Sequence, residues 1–290
     1  MAIKRAAKTS PPAKRRRASP PPTPAKKVIE LPTVAKRGAS DIHQYITLFY
    51  GPPGVGKTTF VNDLAAQDVL FISTDRGARH LEAKVREVNN YQDILDLLEQ
   101  LEAPNAPKYD MVCIDHVDDF TNYAEDQTII ELKIDSLSDA KWGQGWKEFK
   151  RRISHVVQRL KALNVGVVFI SHEGIKTIRV HGIEREIVQP DMGKTAWKVI
   201  VPLVDLVGYC GFKAMQQGGK RVEKRVIYTE PSESVYAKDR TQRQKPSKGY
   251  ELLDGAKFRS TFKTATATKK KIRSSSNGEE VKKQGRRARR

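Results

Sequence analysis

The stretch QYITLFYGPPGVGKTT, Gln44–Thr59, decides how the rest of the chain is read. It joins a short apolar run, Ile46–Tyr50, to the spacing Gly51, four residues, Gly56, Lys57, Thr58. A polyphosphate needs several N–H donors converging on one place, and a glycine-rich turn lets the backbone curl tightly enough to supply them. Gly51, Pro52, Pro53, Gly54, Val55, Gly56, Lys57, Thr58 and Thr59 are therefore the candidate cradle for the phosphates of a nucleotide. Lys57 is placed to reach the outer phosphates and the Thr58 hydroxyl to ligate Mg²⁺. A helix opening near Thr58 aims its positive end at the anion. The preceding strand and following helix separate this spacing from a chance glycine loop.

Working outward, VLFIS (Val69–Ser73), Met111–Ile114 and VGVVFIS (Val165–Ser171) are continuous apolar runs of strand length. Between them, helices are expected at Thr58–Ala66, Ala78–Val88 and Tyr91–Glu102. Another is expected at Trp142–Leu163, where Trp146, Phe149, Ile153, Val156, Val157, Leu160 and Leu163 share one side. Residues 118–138 are acidic and poorly periodic, and read as helix plus loop over the nucleotide edge. Strands apolar throughout and alternating with helices argue an α/β fold with a mostly parallel, doubly covered sheet. Ligands in such sheets sit at the carboxyl ends of the strands, where Gly51, Asp75, Asp115 and Ser171–His172 all fall. An acidic residue ending a buried strand downstream of a phosphate loop suits a carboxylate supporting Mg²⁺, which assigns Asp115.

The C-terminal part has a different pattern. A hairpin is expected from Thr177–Val180 and Ile183–Val188, then a helix at Thr195–Leu203. Leu206–Phe212, Arg221–Thr229 and Ser234–Ala237 read as antiparallel strands extending the sheet.

With 290 residues and 38% apolar composition, the chain reads as one domain, 41–262, between two tails. The formal charge of +19 is concentrated in those tails: 1–40 carry +10 and 263–290 carry +9, leaving 31 basic and 31 acidic residues between them. Proline and like-charge repulsion disfavour a packed core in either tail, so both are expected to be disordered and to reach for a polyanion, DNA above all. Neither tail has an aromatic residue, so backbone contact rather than base stacking is expected. Cys113 and Cys210 offer no disulfide framework and read as reduced core residues. No apolar run reaches the ~18 residues needed to span a bilayer, and Met1–Ser10 lacks a secretory hydrophobic segment. A cytoplasmic protein without membrane contact is expected, although the basic cluster Lys14–Arg17 also fits nuclear import.

The phosphate loop, Asp75, Asp115, VVFISH (Val167–His172) and YAKDR (Tyr236–Arg240) together resemble the RecA-like P-loop ATPases of phages. The similarity is to the branch with the single-strand-annealing ATPases, distantly related to RecA and to DnaB-type helicases. SDAKWGQGW (Ser138–Trp146), DLVGY (Asp205–Tyr209) and LLDGAKFRSTF (Leu252–Phe262) are similar to that branch too. The resemblance implies that Lys57 and Thr58 hold phosphate and metal, with Asp115 as the acidic strand-end residue. His116 stands where many AAA-type ATPases carry a water-polarising Glu, so the resemblance passes that role to Asp75, with Asp118 and Asp119 in reserve. An Asp at position 75 also suits a helix cap. His172 falls where relatives sense the γ-phosphate, although a structural histidine fits as well.

Lys238 and Arg240 match a Lys-x-Arg pattern that reaches a neighbour's nucleotide, and in a strand both would share one face. An exposed basic turn is the plainer reading of the pair. The reaching role implies a homo-oligomer, ring or filament. The resemblance as a whole implies a DNA-stimulated ATPase in recombination, single-strand annealing or repair. A helicase, a helicase loader, a small-molecule kinase and a non-hydrolysing relative remain open.

Overall fold

The computed structural model describes residues 38–75, 77–180 and 182–265. The expected tails lie outside these apart from residues 38–40 and 263–265.

β1 (Ile46–Tyr50) leads through the glycine loop into α1 (Lys57–Leu64). β2 (Val69–Ser73), β3 (Lys84–Glu87), α2 (Tyr91–Glu102), β4 (Met111–Asp115) and α3 (Val117–Leu132) follow. Next come α4 (Gln144–Ala162), β5 (Gly166–Ser171), β6 (Glu173–Val180), β7 (Ile183–Pro190) and α5 (Lys194–Ile200). The last elements are β8 (Leu206–Gln217), β9 (Lys220–Tyr228), β10 (Lys238–Asp239), β11 (Glu251–Leu252) and α6 (Gly255–Thr264).

The main sheet runs β11-β9-β8-β1-β5-β4-β2-β3, with β10 also paired to β8. From β8 to β3 neighbouring strands are parallel, and β9, β10 and β11 add antiparallel pairs at the C-terminal side. This is the α/β arrangement expected from the apolar runs, and it is that of a P-loop nucleotide-binding fold. β1, β2, β4 and β5 are apolar on both faces because helices cover both. One core joins Leu48, Ile72, Ile114 and Phe169 to α2, α3, α4 and α5. The other joins Phe49, Phe71, Cys113 and Ile170 to α1 and α6. Phe49, Phe60 and Phe258 meet edge to face in the second core, with centroids 5.0 to 6.2 Å apart.

Several expectations need correction. The helix expected at Ala78–Val88 is instead a 3₁₀ turn, Gly77–His80, followed by the edge strand β3. Ala, Leu, Glu and Lys favour helix in isolation, but pairing of Leu70–Ser73 with Lys84–Glu87 overrides that preference. Lys84, Arg86 and Glu87 then charge an exposed sheet edge, a pattern that discourages pairing with other chains. The expected strand at Ser234–Ala237 is only an isolated bridge between Val188 and Val235, followed by the short β10. β8 is parallel to β1 rather than antiparallel, and turns back on itself only through β9. The acidic stretch is helix plus loop as expected, its helix being α3, which starts directly at the end of β4. The final helix α6 was not foreseen. It lies so close to α1 that a Cβ on Gly255 would stand 2.2 Å from the Phe60 carbonyl oxygen.

Candidate nucleotide site

The loop after β1 is shaped by its glycines. Gly51 takes φ +154 and has no room for a side chain, since a Cβ there would stand 1.9 Å from the Cys210 carbonyl oxygen. Gly56 takes φ +96 in the left-handed region and caps α1. Val55 is fully buried and pins the loop to the core below. The Lys57 side chain folds back over the loop, its Nζ donating to the carbonyls of Gly51 at 2.9 Å and Pro52 at 3.1 Å. Burial lowers the Lys57 pKa, opposed in part by Asp115 and Asp118 among other groups.

Above the loop is a cavity of about 310 Å³, lined on one side by Pro53, Gly54, Gly56, Lys57, Thr58 and Thr59. Asp75, Gly77, His116, His172 and Arg225 form the rest of its wall. The sheet register explains this convergence. Tyr50 pairs with Ser171 and Ser73 pairs with Asp115, so the residues after β1, β2, β4 and β5 emerge together. The Thr58 hydroxyl donates to Oδ2 of Asp115 at 2.9 Å. Asp115 is fully buried, and its Oδ1 has no hydrogen-bond partner among the described residues. Burial raises its pKa, against the opposing influence of His116 and the Thr58 hydroxyl. A buried, half-satisfied carboxylate beside a threonine hydroxyl is a donor set suited to a hard divalent cation.

His116 occupies the space between two carboxylates, with Nε2 3.2 Å from Asp115 Oδ1 and Nδ1 3.3 Å from Asp75 Oδ2. Its ring stacks on His172 with centroids 4.2 Å apart. His172 is held through Nδ1, 2.6 Å from Asp118 Oδ2. Asp75 also accepts from the Gly77 N–H at 2.8 Å, so it caps the 3₁₀ turn while its side chain stays about one-third exposed to the cavity. Asp119 accepts from the Thr74 hydroxyl at 2.8 Å. Both carboxylates held in reserve are thus occupied with neighbouring side chains.

A family model described as AAA domain matches residues 43–241. The chain belongs to the AAA domain family. It is thereby a nucleotide-binding domain of ATPase type. No curated protein matches it by sequence.

In this AAA domain two residues of the site escaped the sequence reading. Thr74 ties the ends of β2 and β4 together: its N–H donates to the Asp115 carbonyl at 2.8 Å and its Oγ accepts from the His116 N–H at 3.0 Å. A polar residue directly after a buried strand was the available signal. Arg225 stands on β9, far from the loop in sequence, with Nη1 3.2 Å from where a Cβ on Gly56 would lie. Nothing local marks it, because its position comes from a long-range register.

Lys238 and Arg240 lie elsewhere. β10 pairs with the beginning of β8, and Arg240 donates its N–H to the Asp205 carbonyl, at the opposite end of β1 from Gly51. The Lys238 ammonium is taken by the Val201 and Val204 carbonyls at 2.8 and 2.6 Å, after α5. In this chain it therefore braces the end of its own helix. Arg240 is half exposed and only 3.9 Å from Asp205. Among the described residues no helix is long and apolar enough to cross a membrane.

Proposed function

We propose that this AAA domain is a magnesium-dependent ATPase of the RecA-like phage type, acting on single-stranded DNA in recombination, annealing or repair as a homo-oligomer. The hydrogen bond from Thr58, which lines the cavity with Lys57, to the buried Asp115 carries the reading. Thr58 and Asp115 would hold Mg²⁺, which when bound neutralises phosphate charge and polarises the phosphoryl group to be transferred. Lys57 exchanges its two loop carbonyls for phosphate oxygens, a stronger pairing because both partners are charged.

Asp75 is the acceptor for the proton of the attacking water. Its carboxylate lines the cavity and is oriented by the Gly77 N–H on one side and the His116 ring on the other. His172, fixed through Nδ1 by Asp118, lines the cavity where the resemblance places a sensor of the γ-phosphate. Arg240, remote from its own cavity and weakly paired, supplies the cation for a neighbouring subunit's site. A small-molecule kinase would need an arginine-rich lid, and among the described residues a single arginine, Arg225, lines the cavity.

The DNA assignment rests on the +10 and +9 charges of the two terminal stretches, on the neutral middle, and on the resemblance to annealing ATPases. Such arms hold phosphates without sequence preference and lose grip as salt rises. The cytoplasm of a bacterial host suits a protein of this type.

The test is ATP turnover with and without single-stranded DNA for the wild type, Lys57→Ala and Arg240→Ala. DNA-stimulated turnover abolished by the first substitution and strongly reduced by the second is expected. Turnover indifferent to DNA and undiminished in Arg240→Ala overturns the reading, and directional strand displacement would place the chain among helicases instead. DNA affinity after deletion of both arms tests their part; unchanged affinity removes them from it.

A further inference from the structure

The β8–β9 ribbon continues past the end of the sheet and over the phosphate loop. Tyr209 pairs with Tyr50, the last residue before Gly51, and β8 runs on to Gln217 with β9 alongside. Phe212 and Arg225 face each other three residues beyond that level, roughly 10 Å further along the strand. Directly paired residues in an antiparallel ladder share a face, and so do residues two apart on one strand. Arg225 therefore shares its face with Ile227 and Cys210, which are buried with Val55 and Phe60 on the α1 side. The face of the ribbon that carries Arg225 is the one turned to the loop.

The side-chain position agrees. Nη1 of Arg225 lies 3.2 Å from the space a Cβ would fill on Gly56, and the residue lines the same cavity as Lys57, Thr58 and Thr59. Its guanidinium makes no hydrogen bond or ion pair with any described residue, whereas Arg79, Arg151, Arg152 and Arg159 each have a carboxylate. A guanidinium offers five N–H donors in a planar fork that matches phosphate oxygens. A Cβ at position 56 would crowd this fork at 3.2 Å, so glycine there leaves it room beside the loop backbone.

We infer that Arg225 is a phosphate-binding residue that clamps the triphosphate of a bound nucleotide from above, within the same chain whose loop holds it from below. The inference rests on the nucleotide reading of the cavity, and deepens it by dividing the cations: Arg225 grips nucleotide inside one subunit, while Arg240 is left for the neighbour. Nucleotide binding then needs no second subunit, although turnover does.

The experiment is titration of the full-length protein with a fluorescent ATP analogue in the presence of Mg²⁺, using wild type, Arg225→Ala and Arg225→Lys. Loss of a charge-assisted contact predicts binding weaker by about tenfold or more in Arg225→Ala, with partial recovery in Arg225→Lys. Thermal melting serves as the folding control, and an exposed side chain without protein partners predicts an unchanged Tm. Equal affinity of Arg225→Ala and wild type overturns the inference while leaving the nucleotide site in place. No binding by the wild type overturns both. Mixing Arg225→Ala with Lys57→Ala protein checks the same-chain clause: no recovery of tight binding is expected, and recovery would move Arg225 to the neighbour's site and overturn that clause.

Discussion

The Thr58 hydroxyl donates a 2.9 Å hydrogen bond to Oδ2 of Asp115, joining the first turn of the phosphate-loop helix to the end of a strand 57 residues further on. Thr58 lines the cavity, and the bond ties it to a carboxylate that is fully buried. The ionised form of that carboxylate and the apolar fold around it are therefore in tension.

Burial raises the Asp115 pKa above its ordinary value of 3.8. A carboxyl whose folded pKa is raised contributes most when protonated, and that contribution is lost as pH rises through the folded value. Its surroundings therefore disfavour the ionised form, and a neutral isostere relieves that cost. Asp115→Asn, which still accepts from Thr58, is expected to raise Tm by about 2–4 °C. It is also expected to lower ATP turnover by at least about 100-fold. Calorimetry and turnover on one preparation check the split; a destabilised Asp115→Asn protein would contradict it.

The loop glycines are unequal. Gly51→Ala forces a Cβ to within 1.9 Å of the Cys210 carbonyl oxygen, and a loss of about 3 kcal/mol or more is expected. Gly54 has φ +74 with nothing within 4 Å of an added Cβ, so Gly54→Ala should cost about 1 kcal/mol from backbone conformation alone. Urea unfolding of the two variants ranks them, and equal losses would show that the contact with β8 is not what fixes Gly51.

Lys238 and Arg240 should separate stability from activity. Removing the ammonium that holds the Val201 and Val204 carbonyls, by Lys238→Met, is expected to destabilise by about 1–2 kcal/mol. Arg240→Ala should stay within about 0.5 kcal/mol of wild type, its ion pair among the described residues being a 3.9 Å contact with Asp205, while turnover falls. Denaturant midpoints beside steady-state rates decide it; a stability loss in Arg240→Ala matching that in Lys238→Met would assign both to structure.

Cys210 is fully buried, and burial pushes its thiol up to about 12 from an ordinary 9.0. Between those values the unfolded chain loses a proton that the folded chain keeps, so stability should fall as pH rises through that window. Below it the thiol stays protonated and inert in the folded state. Labelling with a thiol reagent at pH 8 should be slow in native protein and immediate in denaturant. Fast native labelling of Cys210 would show that the β8 region opens.

How much of the molecule is legible in its sequence depends on how local each signal is. β1, the phosphate loop and α1 are readable because glycine spacing and apolar periodicity lie within sixteen residues. α2 matches its expected range to the residue, since Ile94, Leu97, Leu98 and Leu101 repeat with helical period between an Asn90 cap and a proline-rich exit. β3 reads as helix because its residues favour helix and only pairing with β2 makes them a strand. Asp75 and Asp115 are visible as acids after buried strands. The imidazole of His116 between them is not, and neither is Arg225, because both placements come from register between distant strands. Lys238 matches a sequence pattern, but its ammonium serves α5.

The most direct test of the nucleotide site is isothermal titration of the purified protein with ATP, with and without Mg²⁺. Binding that depends on Mg²⁺ and is lost in Lys57→Ala is the predicted result. No magnesium-dependent affinity for ATP in the folded wild-type protein would contradict it.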